Sequence, residues 1–189
     1  VQEYFLAMIR ELLDLYGDVI DGIQLDWMRF PHHLPGSRGE AWENRSALTG
    51  FVEKVRQLLD GKTKKWLLSV RVPTTPAGCH SLGVDIAVWA QRGLVDMLIA
   101  TPFLVSDSDI PVGELRSLVG NVPVPIYADI EFGHGSQQHN PESLRATALS
   151  LYDMGANGLY LFNFPCWQEY LSARPYHWLV DLAAPGSAA

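Results

Sequence analysis

Cysteine is scarce in this chain: Cys79 and Cys166 are the two in 189 residues. Two cysteines cannot build a disulfide framework, and a reduced pair is the expectation. Positive charge is scarce as well, with 14 Lys and Arg against 21 Asp and Glu and a net charge of −7. Without a basic stripe to release counterions, neither nucleic acid nor an anionic membrane is expected as a partner. No apolar run approaches the ~20 residues of a membrane span, so no membrane partner is expected. The opening Val1-Gln-Glu-Tyr4 has no methionine, no basic n-region and no apolar h-region. It does not read as a signal peptide, and it reads as the middle of something longer, which leaves the cellular compartment open. A glycine-rich phosphate turn after an early strand is also missing, which argues against an open dinucleotide-binding sheet.

What is present is apolar material in a regular order. Nearly half the residues are hydrophobic and the charges form no blocks, so the chain reads as globular with a sizeable core. Apolar positions at Phe5, Leu6, Met8, Ile9, Leu12, Leu13 and Tyr16 predict a helix over 2–16, closed by Gly17. A strand over 19–26 follows, then a polar loop and a helix of about 20 residues that Gly61 ends. Strands are expected at 66–73, 95–100, 124–131 and 158–164. Between them fall helices at 85–92, 111–119 and 141–154, the last opened by Asn140-Pro-Glu as cap, first-turn proline and favourable acid. A final helix is expected from Gln168 to Leu182, and 184–189 reads as a frayed tail.

Strand and helix alternating through short connections imply βα units and a parallel sheet. A polar or charged residue recurs at the strand ends: Asp26, Arg71, Thr101, Glu131 and Asn163. A ring of such ends is the active face of an α/β barrel. Five strands are too few to close one, since a typical barrel needs ~250 residues. The expected fold is therefore α/β, with residues 1–183 forming the C-terminal five-eighths of a (β/α)8 TIM barrel. Strands four to eight are here with their helices, and strands one to three are expected upstream.

Several segments also carry a resemblance. Val19-Ile-Asp-Gly-Ile-Gln-Leu-Asp-Trp-Met-Arg-Phe-Pro31 is similar to the fourth-strand motif of the glycosyl-hydrolase-like 10 barrels and related glycoside hydrolases. So are Leu68-Ser-Val-Arg-Val-Pro73, Gly83-Val-Asp85 followed by Trp89, Gly93-Leu-Val-Asp96, and Gly158-Leu-Tyr-Leu-Phe-Asn163. The likeness runs in order over nearly the whole chain. It implies a TIM-type barrel and a carbohydrate substrate, and no cofactor is expected. It also implies a partner within the same chain, the N-terminal part of the barrel.

Glycoside-hydrolysing barrels set two acids about the scissile bond, one to protonate the leaving oxygen and one to attack or to activate water. Asp26 and Glu131 are the candidates here, on the barrel's fourth and seventh strands, across the mouth from each other. The placement resembles the large clan of retaining glycosidases with acid and nucleophile on those strands. That clan generally uses glutamate at both, whereas other clans use a fourth-strand aspartate as nucleophile, so the roles stay open. An ion pair of Asp26 with Arg29 that only fixes a loop is the plainer alternative. Glu131, just before Gly133-His-Gly135, could equally be a solvated loop acid. By the period of two, Asp129 and Tyr127 share its face, and Asp129 is the stand-in.

Arg71 could pair with Asp26 and favour its charged form, or grip substrate. Asn163 could donate to a sugar hydroxyl or cap the next turn. Trp27 and Trp167, in connections at the expected mouth, are the aromatics most suited to stacking on a sugar face. The substrate-binding set is thus Arg29, Arg71, Trp27, Tyr127, Asp129, Asn163 and Trp167. No metal site is expected: His32 and His33 point apart, and His134 and His139 flank a loop with no cysteine nearby. A non-catalytic carbohydrate-binding barrel is the second reading. A phosphate-handling barrel ranks below both, because no glycine follows the last strand and no strand ends in lysine.

Overall fold

The structure is a computed structural model, and it describes residues 1–28, 30, 32–61, 64–132, 139–164 and 176–182. Five strands form one sheet in the order β1 (Gly22–Asp26), β2 (Leu67–Val72), β3 (Met97–Ala100), β4 (Ile126–Glu131) and β5 (Gly158–Phe162). Every pairing is parallel between chain neighbours, so each connection is a crossover filled by helix. The helices are α1 (Gln2–Tyr16), α2 (Arg38–Ala41), α3 (Ser46–Asp60), α4 (Pro76–Leu82), α5 (Ile86–Gln91), α6 (Val112–Val119) and α7 (Pro141–Asp153).

Side chains alternate along each strand, and the two faces differ in kind. Leu68, Val70, Val72, Leu98, Ala100, Ile126, Ala128 and Ile130 face the helices and are wholly buried. They meet Val52, Val55 and Leu59 of α3, Ile86 and Trp89 of α5, Leu115 of α6 and Leu151 of α7 in one continuous core. The other face carries Gln24, Asp26, Ser69, Arg71, Tyr127, Asp129, Glu131, Tyr160 and Phe162, a mainly polar and aromatic set, with Met97 and Ile99 of β3 among them.

That second face is concave. In a flat sheet β1 and β5 would stand about 19 Å apart, four strand spacings, with side chains running parallel. Instead the Tyr160 hydroxyl on β5 donates to Gln24 Oε1 on β1 at 3.0 Å. Only a sheet that curls about a common axis brings those tips together. The molecule is thus an α/β half-barrel: five parallel strands, helices outside, a bowl inside. Gly158 serves the curl, because a Cβ there would meet the Tyr127 ring at 2.6 Å.

Several expected boundaries moved. The first strand begins at Gly22 and not at 19, since Leu67 supplies its first partner only there and Val19 is exposed. The expected 20-residue helix breaks into α2 and α3, because side chains at 44 and 45 take up backbone carbonyls: Asn44 donates to Glu40 O and Arg45 to Trp42 O. Helix α4 was not expected. Thr75 caps it through Gly78 N–H, Pro76 opens it, and Gly83 closes it at φ 68, where a Cβ would strike Ala41 O at 2.6 Å. Tyr176–Leu182 is a 3₁₀ helix; the rest of the expected last helix and the tail lie outside the described residues. The α1 stripe is only partly used. Leu6 and Leu13 are buried, while Phe5, Met8, Leu12 and Tyr16 stay exposed, as α3 is the main neighbour of α1. No described helix is long and apolar enough to cross a membrane.

Candidate active site

The bowl is organised around one guanidinium. Arg71 sits on β2, 1% exposed, and reaches all five strands. Its Nη1 donates to Asp26 Oδ2 at the end of β1 (2.5 Å), and its Nη2 to Asp129 Oδ2 on β4 (3.2 Å). Its Nε donates to Thr101 Oγ1 just past β3 (3.3 Å), and its Cζ lies 3.7 Å from the centre of the Phe162 ring on β5. The Tyr160 ring is 5.7 Å away. Strand parity and the curl both act here: β2 and β4 are two strands apart, yet their inward side chains touch.

The acids differ in access. The Asp26 side chain is 32% exposed, with Oδ1 accepting from Met28 N–H at 2.9 Å. Asp129 and Glu131 are each 1% exposed. Burial pushes the Asp129 carboxyl up to about 7; Arg71 pulls against this, and Glu131 adds to it. Asp129 Oδ1 has no hydrogen-bond partner among the described residues, an arrangement that suits the neutral acid. Glu131 Oε1 accepts from Asn163 Nδ2 at 2.7 Å. Glu131 is therefore a held, buried acid and not a solvated loop residue.

Asn163 reaches Glu131 from a left-handed backbone, φ 60, immediately past β5. Asparagine tolerates that region better than most residues. Asn163→Ala combines backbone strain with the loss of a bond to a buried acid. It is expected to cost about 2 kcal/mol in urea unfolding, with Asn163→Gly losing less. Equal losses for the two would remove the backbone part of the argument.

No family model matches this chain, and no curated protein matches it either. What the site does must then be read from its own residues.

Arg71, Asp26, Asp129, Glu131 and Asn163 lie together on the concave face. Tyr127 is on the same face, its ring packed over Gly158. Trp27 was expected to touch ligand, and the structure turns it the other way. It is 8% exposed on the helix side, its ring edge-on to Phe51 and His33 and beside Trp89. Odd parity relative to Asp26 and the pull of the α3 and α5 core explain this. Arg29 and Trp167, like His134, lie outside the described residues. Asp96 of the Gly93-Leu-Val-Asp stretch is at the opposite end of the sheet, where it accepts from Arg56 and from Leu68 N–H. It ties α3 to β2 and takes no part in the bowl.

Two contributors went unnoticed in the sequence. Tyr160 was findable by counting two back from Phe162. Ser106 was not: from the loop after β3 it donates to Glu131 O at 3.0 Å and lies 2.7 Å from His139 Nε2. That pair straps the loop over the end of β4, and burial lowers the proton affinity of His139. No group of three or more His, Cys, Asp and Glu is arranged to hold a metal among the described residues.

The raised Asp129 value has a thermodynamic consequence. An unfolded aspartate titrates near 3.9, so between about pH 4 and 7 the folded chain holds the extra proton. The stability this confers is complete below about pH 4 and is lost as pH rises through 7, at most about 1.4 kcal/mol per unit. Asp129→Asn should flatten that fall when urea midpoints are compared at pH 5 and pH 8. A variant whose pH dependence matches the parent would show that Asp129 is not the group responsible.

Proposed function

We propose that this chain supplies strands four to eight of a (β/α)8 barrel of the kind it resembles, the glycosyl-hydrolase-like 10 proteins. In this reading the activity is hydrolysis of O-glycosidic bonds in a poly- or oligosaccharide, with Asp26 and Glu131 as the paired carboxylates. The observation that supports it most is the convergence of acids from β1 and β4 on one concave face, at the C-terminal ends of parallel strands, where α/β barrels do their chemistry. Asp26 is the acid open to solvent. Glu131 is buried, with its Oε1 accepting from the Asn163 amide. The exposed stripe of α1 and the free edge of β1 are where the preceding βα units would pack.

The depth of Asp129 and Glu131 favours a second reading, a barrel that binds carbohydrate without cutting it. The two are separated by incubating the full gene product with a panel of poly- and oligosaccharides and following new reducing ends beside retention of the glycan. Hydrolysis that depends on Asp26 supports the enzyme. Retention with no new ends at any glycan supports the binding module, and neither response would refute both.

A further inference from the structure

We propose that Asp129 is a positioning residue whose buried carboxyl holds or releases one proton, and that this proton decides whether Arg71 serves Asp26 alone or is divided between the two acids. The geometry carries this. One guanidinium donates to both carboxylates, Nη1 to Asp26 at 2.5 Å and Nη2 to Asp129 at 3.2 Å. Asp129 is 1% exposed, while the Asp26 side chain is 32% exposed. Charge does not balance when Asp26 and Asp129 both ionise, because the two share one guanidinium. The member that gives way is the buried one of the two, Asp129, whose Oδ1 has no hydrogen-bond partner among the described residues.

The groups that bear on this cluster come from every strand. They are Asp26 on β1, Arg71 on β2, the Thr101 hydroxyl past β3, Tyr127, Asp129 and Glu131 on β4, and Tyr160 on β5. Tyr160 titrates above its ordinary range, through burial foremost, and stays neutral in the working window. His139 lies against the Glu131 carbonyl and the Ser106 hydroxyl, and burial shifts it downward.

With Asp129 neutral, the guanidinium is left to Asp26 and holds it in place. With Asp129 ionised, the fork is shared and Asp26 is less tightly held. A pair coupled this way titrates in steps that belong to both groups. The use of the device rests on Asp26 being a reacting acid, as proposed above; its existence does not.

The test needs no substrate. In protein labelled with ¹³C at the aspartate carboxyls, the Asp26 signal is followed from pH 3 to 9. The parent should show its own acidic step and a second inflection at about pH 7, where Asp129 titrates. Asp129→Asn should abolish the second inflection, and Glu131→Gln should retain it. Arg71→Lys, whose ammonium offers no planar fork, should shrink it by half or more, and gives a readout if Asp129→Asn does not fold. An Asp26 curve with no second inflection in the parent, or one unchanged in Asp129→Asn or Arg71→Lys, overturns the proposal. A positive titration beside a silent glycan panel would sink the enzyme reading and leave the coupling standing.

Discussion

Arg71→Met should lower stability by about 3–5 kcal/mol at pH 8, the range for removing one partner of a buried ion pair. Methionine fills much of the space but leaves Asp26 and Asp129 facing each other without the cation they share. The Thr101 contact and the stacking on Phe162 go as well. At pH 5 the loss should be smaller, because Asp129 is already protonated there and only the Asp26 charge is left unpaired. Urea unfolding at the two pH values reads both numbers. A loss under about 1 kcal/mol at each would mean that Arg71 is replaceable packing and not the centre of the bowl.

On a glycan that the parent hydrolyses, Asp26→Asn should reduce the rate by about 10²–10⁴-fold with binding little changed. That is the range associated with removing a positioned acid or base. Asparagine keeps the shape and one acceptor, enough for Met28 N–H, but loses the charge and turns an amide NH2 toward Arg71. Urea unfolding of the same variant reads the structural loss apart from the chemical one. Initial rates of reducing-end release, paired with equilibrium binding of the same glycan, separate the two. Undiminished hydrolysis would remove Asp26 from the chemistry.

The face of each strand was legible in the sequence, and the distance across the bowl was not. A period of two places Asp129 and Tyr127 with Glu131, and Gln24 with Asp26, whatever the sheet does afterwards. It also places Trp27 opposite, a consequence outweighed in the reading by its position near the mouth; the structure follows the parity and buries it against Phe51 and Trp89. That Arg71 would reach β4 and β5 depends on curvature, which accumulates over the whole sheet and is written in no single stretch. The same holds for Tyr160 and Gln24, 136 residues apart in sequence and 3.0 Å apart in space. Helix α4 is a different kind of miss. Its Thr75-Pro76 opening was in plain view, but seven residues hold too little periodicity to announce a helix.

The most direct test is a double-mutant cycle in urea unfolding at pH 8, with Arg71→Met, Asp129→Asn and the two combined. Residues in contact couple by about 0.5–3 kcal/mol, and distant ones add within about 0.5. Side chains on β2 and β4 touch only if the sheet curls and gathers its acids around one guanidinium. A coupling above about 1 kcal/mol is the predicted result; strict additivity would contradict it.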